Sequence, residues 1–309
     1  MAYSSGGTIE AAHYNGFVTS VNAIWSTGSG NKGLGQSALS TVSAGNTVTA
    51  AQWSSLMNTI RSISDHYGQD GSITIDTTSN PSAGGTISAF STMSGDITTI
   101  TNAQTSVGSV SAGYSGAVTG TISNGGNFQN TFTARARLTF SSTNAQRYFW
   151  NAGGRCYFST DLSGHTSDSK ANEWNNLASE VGTYYVYNTT SGKSGGSGSV
   201  SINTTNAGYW DAANGVVFRQ YENTGPYTSN RIDFSIFNPS AGSSSTIDFQ
   251  YQWVDGAADQ TSYNKNVYNV LDQVNGTKYA YFRYQRPNTT YISATWGTPS
   301  WSTVTNTIS

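Results

Sequence analysis

The sequence predicts a mainly β fold: an antiparallel, jelly-roll-like β-sandwich over residues 115–309, preceded by a two-helix module over 1–70 and a Ser/Thr/Gly-rich connector or short stalk over 71–114. Three observations predict it. From Thr131 to Phe140, apolar Phe132, Ala134, Ala136, Leu138 and Phe140 alternate with Thr131, Thr133, Arg135, Arg137 and Thr139. A period of two over that length describes a strand with one buried and one wet face. Beyond residue 115, further alternating runs are separated by Gly, Ser and Asn turns at short spacing, the pattern of sandwiches and jelly rolls. Ahead of them, apolar residues recur three and four apart, the period of an amphipathic helix.

The helical region contains an internal repeat. TIEAAHYNGFVTSVNAIW from Thr8 aligns with TVTAAQWSSLMNTIRSIS from Thr47, pairing Tyr14 with Trp53, Phe17 with Leu56, and Val21 with Ile60. Thr49 and Gln52 have the spacing of a capping box and predict a helix start there. Each apolar stripe needs a partner, either the other stripe or a neighbouring subunit. A module of this length has a thin core, which favours an assembly face formed by Tyr14, Phe17, Val21, Trp53, Leu56 and Ile60. In the stretch that follows, Ile87, Phe90, Met93, Ile97 and Ile100 keep helical spacing, whereas the Gly/Ser/Thr richness reads as a connector.

In the β region, Arg155–Ser159 re-enters a strand after Gly153-Gly154, and Asn172–Ala178 reads as one or two helical turns. Tyr184–Tyr187 and Gly215–Gln220 read as strands. Ile232–Ile236 and Ile247–Trp253 form two alternating runs around the loop Asn238–Ser245, a hairpin signal. Lys278–Arg286 places Tyr279, Tyr281 and Arg283 on one face, and Ala280, Phe282 and Tyr284 on the other. Residues 189–199 read as a long exposed loop. Asn144–Trp150 reads as a short helix or turn closing the edge of the β domain, with Arg147 paired locally.

Composition narrows the function classes. Charged residues are 10% of the chain, against about 25% in typical globular domains. No run reaches the roughly 20 apolar residues of a membrane span, and 19 Tyr with 8 Trp are unlike a disordered chain. A net charge of −2 does not steer the chain to nucleic acid. The single Cys156 excludes an intramolecular disulfide and reads as a buried small hydrophobe. MAYSSGGTIEAA lacks the pattern of a secretory signal.

The tempting catalytic motifs fail on context. Gly28, Gly30 and Gly33 spell G-x-G-x-x-G, but after a helix rather than a strand, so they read as a helix-end turn. Gly192-Lys193-Ser194 lacks the upstream Gly of a phosphate loop. His13, His66 and His165 lie in separate segments without metal-ligand spacing, and His66 and adjacent Asp65 point apart on a helix. Carboxylates such as Glu173, Glu180, Glu222, Asp233 and Asp248 would serve a glycosidase only if two faced each other across a groove. No cofactor or metal site is expected. Exposed aromatics carry more: Tyr184, Tyr187, Tyr279, Tyr281 and Trp296 read as core or subunit-interface residues, or as a platform for sugar rings.

FSSTNAQRYFWNAGG at Phe140–Gly154, the following RCYFS, the N-x-W-N-N-L segment Asn172–Leu177 and Val181-Gly182-Thr183 resemble a domain of virion structural proteins of tailed bacteriophages, including those of marine cyanobacteria. TIEAAHYNGFVTSVNAIW, GLGQ at Gly33–Gln36 and TVTAAQW at Thr47–Trp53 are similar to the leading segments of the same tail-fibre-like proteins. The resemblance leaves 71–125 and 190–230 without a counterpart. It implies assembly rather than catalysis, with a virion location after assembly in the host cytoplasm. The implied partners are other virion proteins and copies of the chain itself. Host-surface glycans are the partner in the alternative reading as a receptor-binding protein of the tail, and polysaccharide hydrolysis is a remoter reading. No nucleic acid or membrane insertion is expected.

Overall fold

The computed structural model describes residues 10–68, 73–76, 80, 90–104, 115–198, 200–204, 208–223, 227–237, 243–257 and 273–309. They form two compact units. One draws on Met1–Ser115, Ser142–Gly154 and Arg286–Gly297, the other on Gly116–Ser141, Arg155–Gln285 and Thr298–Ser309.

The first unit is helical, with α1 (Ala11–Trp25), α2 (Ala50–Tyr67), α3 (Phe90–Ala103) and α4 (Thr143–Asn151). The capping box at α2 forms: Gln52 N–H donates to Thr49 Oγ1 at 3.3 Å, and Thr49 N–H to Gln52 Oε1 at 2.8 Å. Tyr14, Val18, Val21 and Ile24 of α1 are buried, as are Trp53, Leu56, Met57, Ile60 and Ile63 of α2 and Met93, Ile97 and Ile100 of α3. Tyr14 meets the Trp53 ring edge-on at 5.3 Å, and half-buried Phe17 meets it at 6.4 Å. This corrects the expected assembly face. Tyr14, Val21, Trp53, Leu56 and Ile60 are enclosed within their own unit, because α3 supplies the third apolar side that two helices lacked. The connector reading of this region is corrected likewise from Phe90 to Ala103, while Ile87 lies outside the described residues.

Two asparagines seven residues apart on α1 zip an extended segment onto it. Asn15 exchanges two 2.8 Å hydrogen bonds with the backbone of Val42, and Asn22 does the same with Leu39 at 2.8 and 2.9 Å. Helix α4 is capped by Ser142, whose Oγ accepts from Ala145 N–H at 3.0 Å. It belongs to the helical unit rather than to an edge of the β domain. Its Tyr148 ring lies where a Cβ on Gly35 would stand, 2.4 Å away, and Asn151 Nδ2 donates to Gly33 O at 3.1 Å. His66 Nε2 meets Ala152 O at 3.0 Å. Arg147 pairs locally with Asn144 Oδ1 at 2.6 Å, as the spacing predicts.

The second unit is the predicted antiparallel sandwich. Its strands are β1 (Ser115–Asn124), β2 (Thr131–Thr139), β3 (Arg155–Ser163), β4 (Thr183–Val186), β5 (Ser191–Ser194), β6 (Val200–Asn203), β7 (Gly215–Tyr221), β8 (Arg231–Phe237), β9 (Thr246–Val254), β10 (Thr277–Arg286) and β11 (Ser300–Ile308). One sheet runs β1-β10-β3-β4-β5 and the other β11-β2-β9-β8-β7-β6. The predicted β8–β9 pair is adjacent and antiparallel, with residues 238–242 of its loop outside the described set. The loop predicted at 189–199 instead contains β5, paired with β4 through a turn closed by Tyr187 N–H to Thr190 O at 2.8 Å.

Phe158 packs between Phe234 and Phe249 at 4.4 and 4.5 Å in the core. Helix α5 (Ser169–Val181) is capped by Asp168, whose Oδ1 accepts from Ala171 N–H at 2.8 Å. It lays Trp174 on Trp253, the rings 5.3 Å apart and 5° from parallel. Where β1 and β11 border their sheets, Trp301 Nε1 donates to Val118 O at 3.2 Å and closes that side of the core.

Candidate recognition face

Alternation along β10 turns Tyr279, Tyr281, Arg283 and Gln285 away from the core, while Ala280, Phe282 and Tyr284 are buried. Pairing then sets their neighbours. Asp161, Ser159, Tyr157 and Arg155 of β3 stand opposite Tyr279, Tyr281, Arg283 and Gln285 in turn. Tyr185 of β4 stands opposite Tyr157, and Gly192 of β5 opposite Tyr185. Tyr187 follows two residues after Tyr185 on the same side. Among the described residues, the outer face of the five-stranded sheet thus holds five half-exposed tyrosines and two half-exposed arginines.

The rings are ordered among themselves. Tyr279 and Tyr281 stack at 5.8 Å and 3°, and Tyr185 and Tyr187 at 4.9 Å and 19°. Tyr157 meets Tyr187 edge-on at 6.2 Å. The Arg155 guanidinium lies 5.3 Å from the Tyr157 centroid and 5.6 Å from that of Tyr187, and its Nε donates to Gln285 Oε1 at 3.0 Å. Arg283 lies 5.3 Å from the Tyr281 centroid. Gly192 leaves room for the Tyr185 phenol, since a Cβ there would stand 2.8 Å from its oxygen. Partial burial, then the charge of Asp161, raises the Tyr281 pKa, so its hydroxyl stays protonated at neutral pH and both donates and accepts. Flat rings with polar rims and guanidinium groups suit stacking and hydrogen bonding to a polar, flat-faced ligand.

No protein-family model, curated protein or solved structure matches this chain.

Of the aromatics singled out in the sequence, Tyr187, Tyr279 and Tyr281 meet on this face. Tyr184 does not. It is buried, donates to Thr204 O at 3.2 Å, and burial pushes its pKa up to about 12. Trp296 is buried in the helical unit, where neighbouring Thr295 Oγ1 donates to Leu34 O at 2.7 Å. Sequence reasoning missed Tyr157, Tyr185, Arg155 and Arg283 as members of the face. The alternation of Arg155 and Tyr157 with buried Cys156 and Phe158 was the available signal, but only pairing brings them to β10.

The remaining candidates from the sequence stand in other surroundings. Gly28, Gly30 and Gly33 take positive φ in the turn after α1, and a Cβ on Gly28 would stand 2.6 Å from the Gly33 backbone. On the outer face of the six-stranded sheet, buried Asp248 is clamped by Arg135 and Arg137, each at 2.7 Å. Asp233 is clamped there by Arg219 at 2.7 Å and Arg231 at 3.3 Å. Burial raises the pKa values of Glu173 and Glu180, with a further contribution from the charge of Glu222. Asp65 is exposed while His66 is buried. Among the described residues, no three His, Cys, Asp or Glu side chains converge as a metal site, and no helix is long and apolar enough to cross a membrane.

Proposed function

We propose that this chain is a virion structural protein of a tailed bacteriophage, its β unit carrying the tyrosine–arginine face as a recognition surface. The observation that carries the recognition part is the gathering of Tyr157, Tyr185, Tyr187, Tyr279 and Tyr281 on one half-exposed sheet face. Aromatic rings left at a surface in ordered stacks favour contact with a partner over contact with water. The virion part is supported by the phrases that resemble phage structural proteins. Two of them, GLGQ and the segment ending NAGG, lie far apart in sequence yet pack on each other through Gly35 and Tyr148, and through Gly33 and Asn151. Such mutual packing is a reason for both phrases to occur in one chain.

Helix α1 and α2 surfaces that are buried inside their own unit offer little to a partner, so attachment to the particle is expected through other surfaces. Mass spectrometry of gradient-purified particles from infected cells tests the virion part. The expected result is recovery of the chain in fixed proportion to other virion proteins. Its absence from intact particles contradicts the reading. The same tyrosine face supports binding of host-surface glycans, since phenol rings stack on sugar rings and their hydroxyls bond to sugar hydroxyls.

A further inference from the structure

We infer that the tyrosine–arginine face takes a sugar chain bearing carboxylates, of the polyuronate class; this rests on the reading of the face as a glycan-binding surface. The two cations among the five rings carry it. Arg155 is held by Gln285 and by the rings of Tyr157 and Tyr187, and Arg283 lies over Tyr281. An arginine already packed on rings loses little further freedom when a carboxylate docks, and its fork matches that anion in two hydrogen bonds.

Charge on the face points the same way. Among the described residues of β3, β4, β5 and β10, the outward positions carry Arg155 and Arg283 against the single acid Asp161, although the whole chain has a net charge of −2. Asp161 stands beside Tyr279, at the opposite end of the β3–β10 register from Arg155. Carboxylates spaced along a sugar chain meet the arginines while sugar faces meet the tyrosine rings. A neutral glycan uses only the rings. A nucleic-acid strand requires more cations than two to gain affinity through its phosphates.

Intrinsic-fluorescence titration of the full chain at low salt tests this, with polygalacturonate, its methyl ester, dextran and an oligo-dT strand as probes. The expected result is that polygalacturonate binds at least about tenfold more tightly than the methyl ester, an advantage that fades as salt is added. Arg283→Gln should bring the acid down toward the ester, and Arg283→Lys should recover part of the difference. Tyr281→Ala should weaken acid and ester alike. Thermal melts confirm that each variant is folded. Equal affinity for acid and ester overturns the carboxylate assignment and leaves the glycan face standing. Tighter binding of oligo-dT overturns it in favour of nucleic acid. No binding of any saccharide overturns both it and the glycan reading, whereas the virion reading stands or falls on the particle composition.

Discussion

Two buried side chains carry predictions at the scale of single residues. His66 sits in the helical unit with Nε2 on Ala152 O, and desolvation lowers its pKa from 6.5 to about 4. The unfolded chain therefore takes up a proton at higher pH than the folded one. Stability is full above pH 6.5, falls as pH drops through the window from 6.5 to about 4, and stops falling from this source below it. Chemical denaturation from pH 7 to 4 should show this slope in the native chain and a shallower one in His66→Gln. In the β unit, fully buried Lys278 donates to the carbonyls of Gly126, Val274 and Gly276 at 2.6, 2.9 and 2.8 Å. Lys278→Met leaves three carbonyls without that donor and should cost about 2–4 kcal/mol, read as a lowered urea midpoint.

Individual elements give two further tests. Thr49→Ala removes the acceptor that starts α2 and should cost about 1 kcal/mol. Trp174→Ala empties the site where α5 lies on Trp253 and should cost about 3–5 kcal/mol, again as a shift in denaturation midpoint. Elements were legible wherever the local pattern carried their reason. The alternation of 131–140 and the Thr49–Gln52 spacing are complete within a few residues, and both form as expected. What stayed hidden depends on distant partners. Met93, Ile97 and Ile100 form a helix despite a Thr-rich sequence because α1 and α2 offer them an apolar surface. Ser191–Ser194 reads as loop because only pairing with β4 makes it a strand. The tyrosine face shows the same limit: Tyr279 and Tyr281 were visible in one run, whereas Tyr157 and Tyr185 reach them through a strand order that no local pattern encodes.

For the whole molecule, low charge goes with a helical unit and a sandwich whose outer face is rich in tyrosine. Asp233 and Asp248, clamped by arginines, and His66, enclosed at Ala152, have structural explanations, and the tyrosine face is the surface proposed for contact. A reconstruction of the intact phage particle, resolved well enough to trace this chain, tests that account most directly. The expected result is the chain within the particle, with Tyr157, Tyr185, Tyr187, Tyr279 and Tyr281 uncovered and facing outward. A particle without the chain, or one in which another virion protein covers that face, would contradict it.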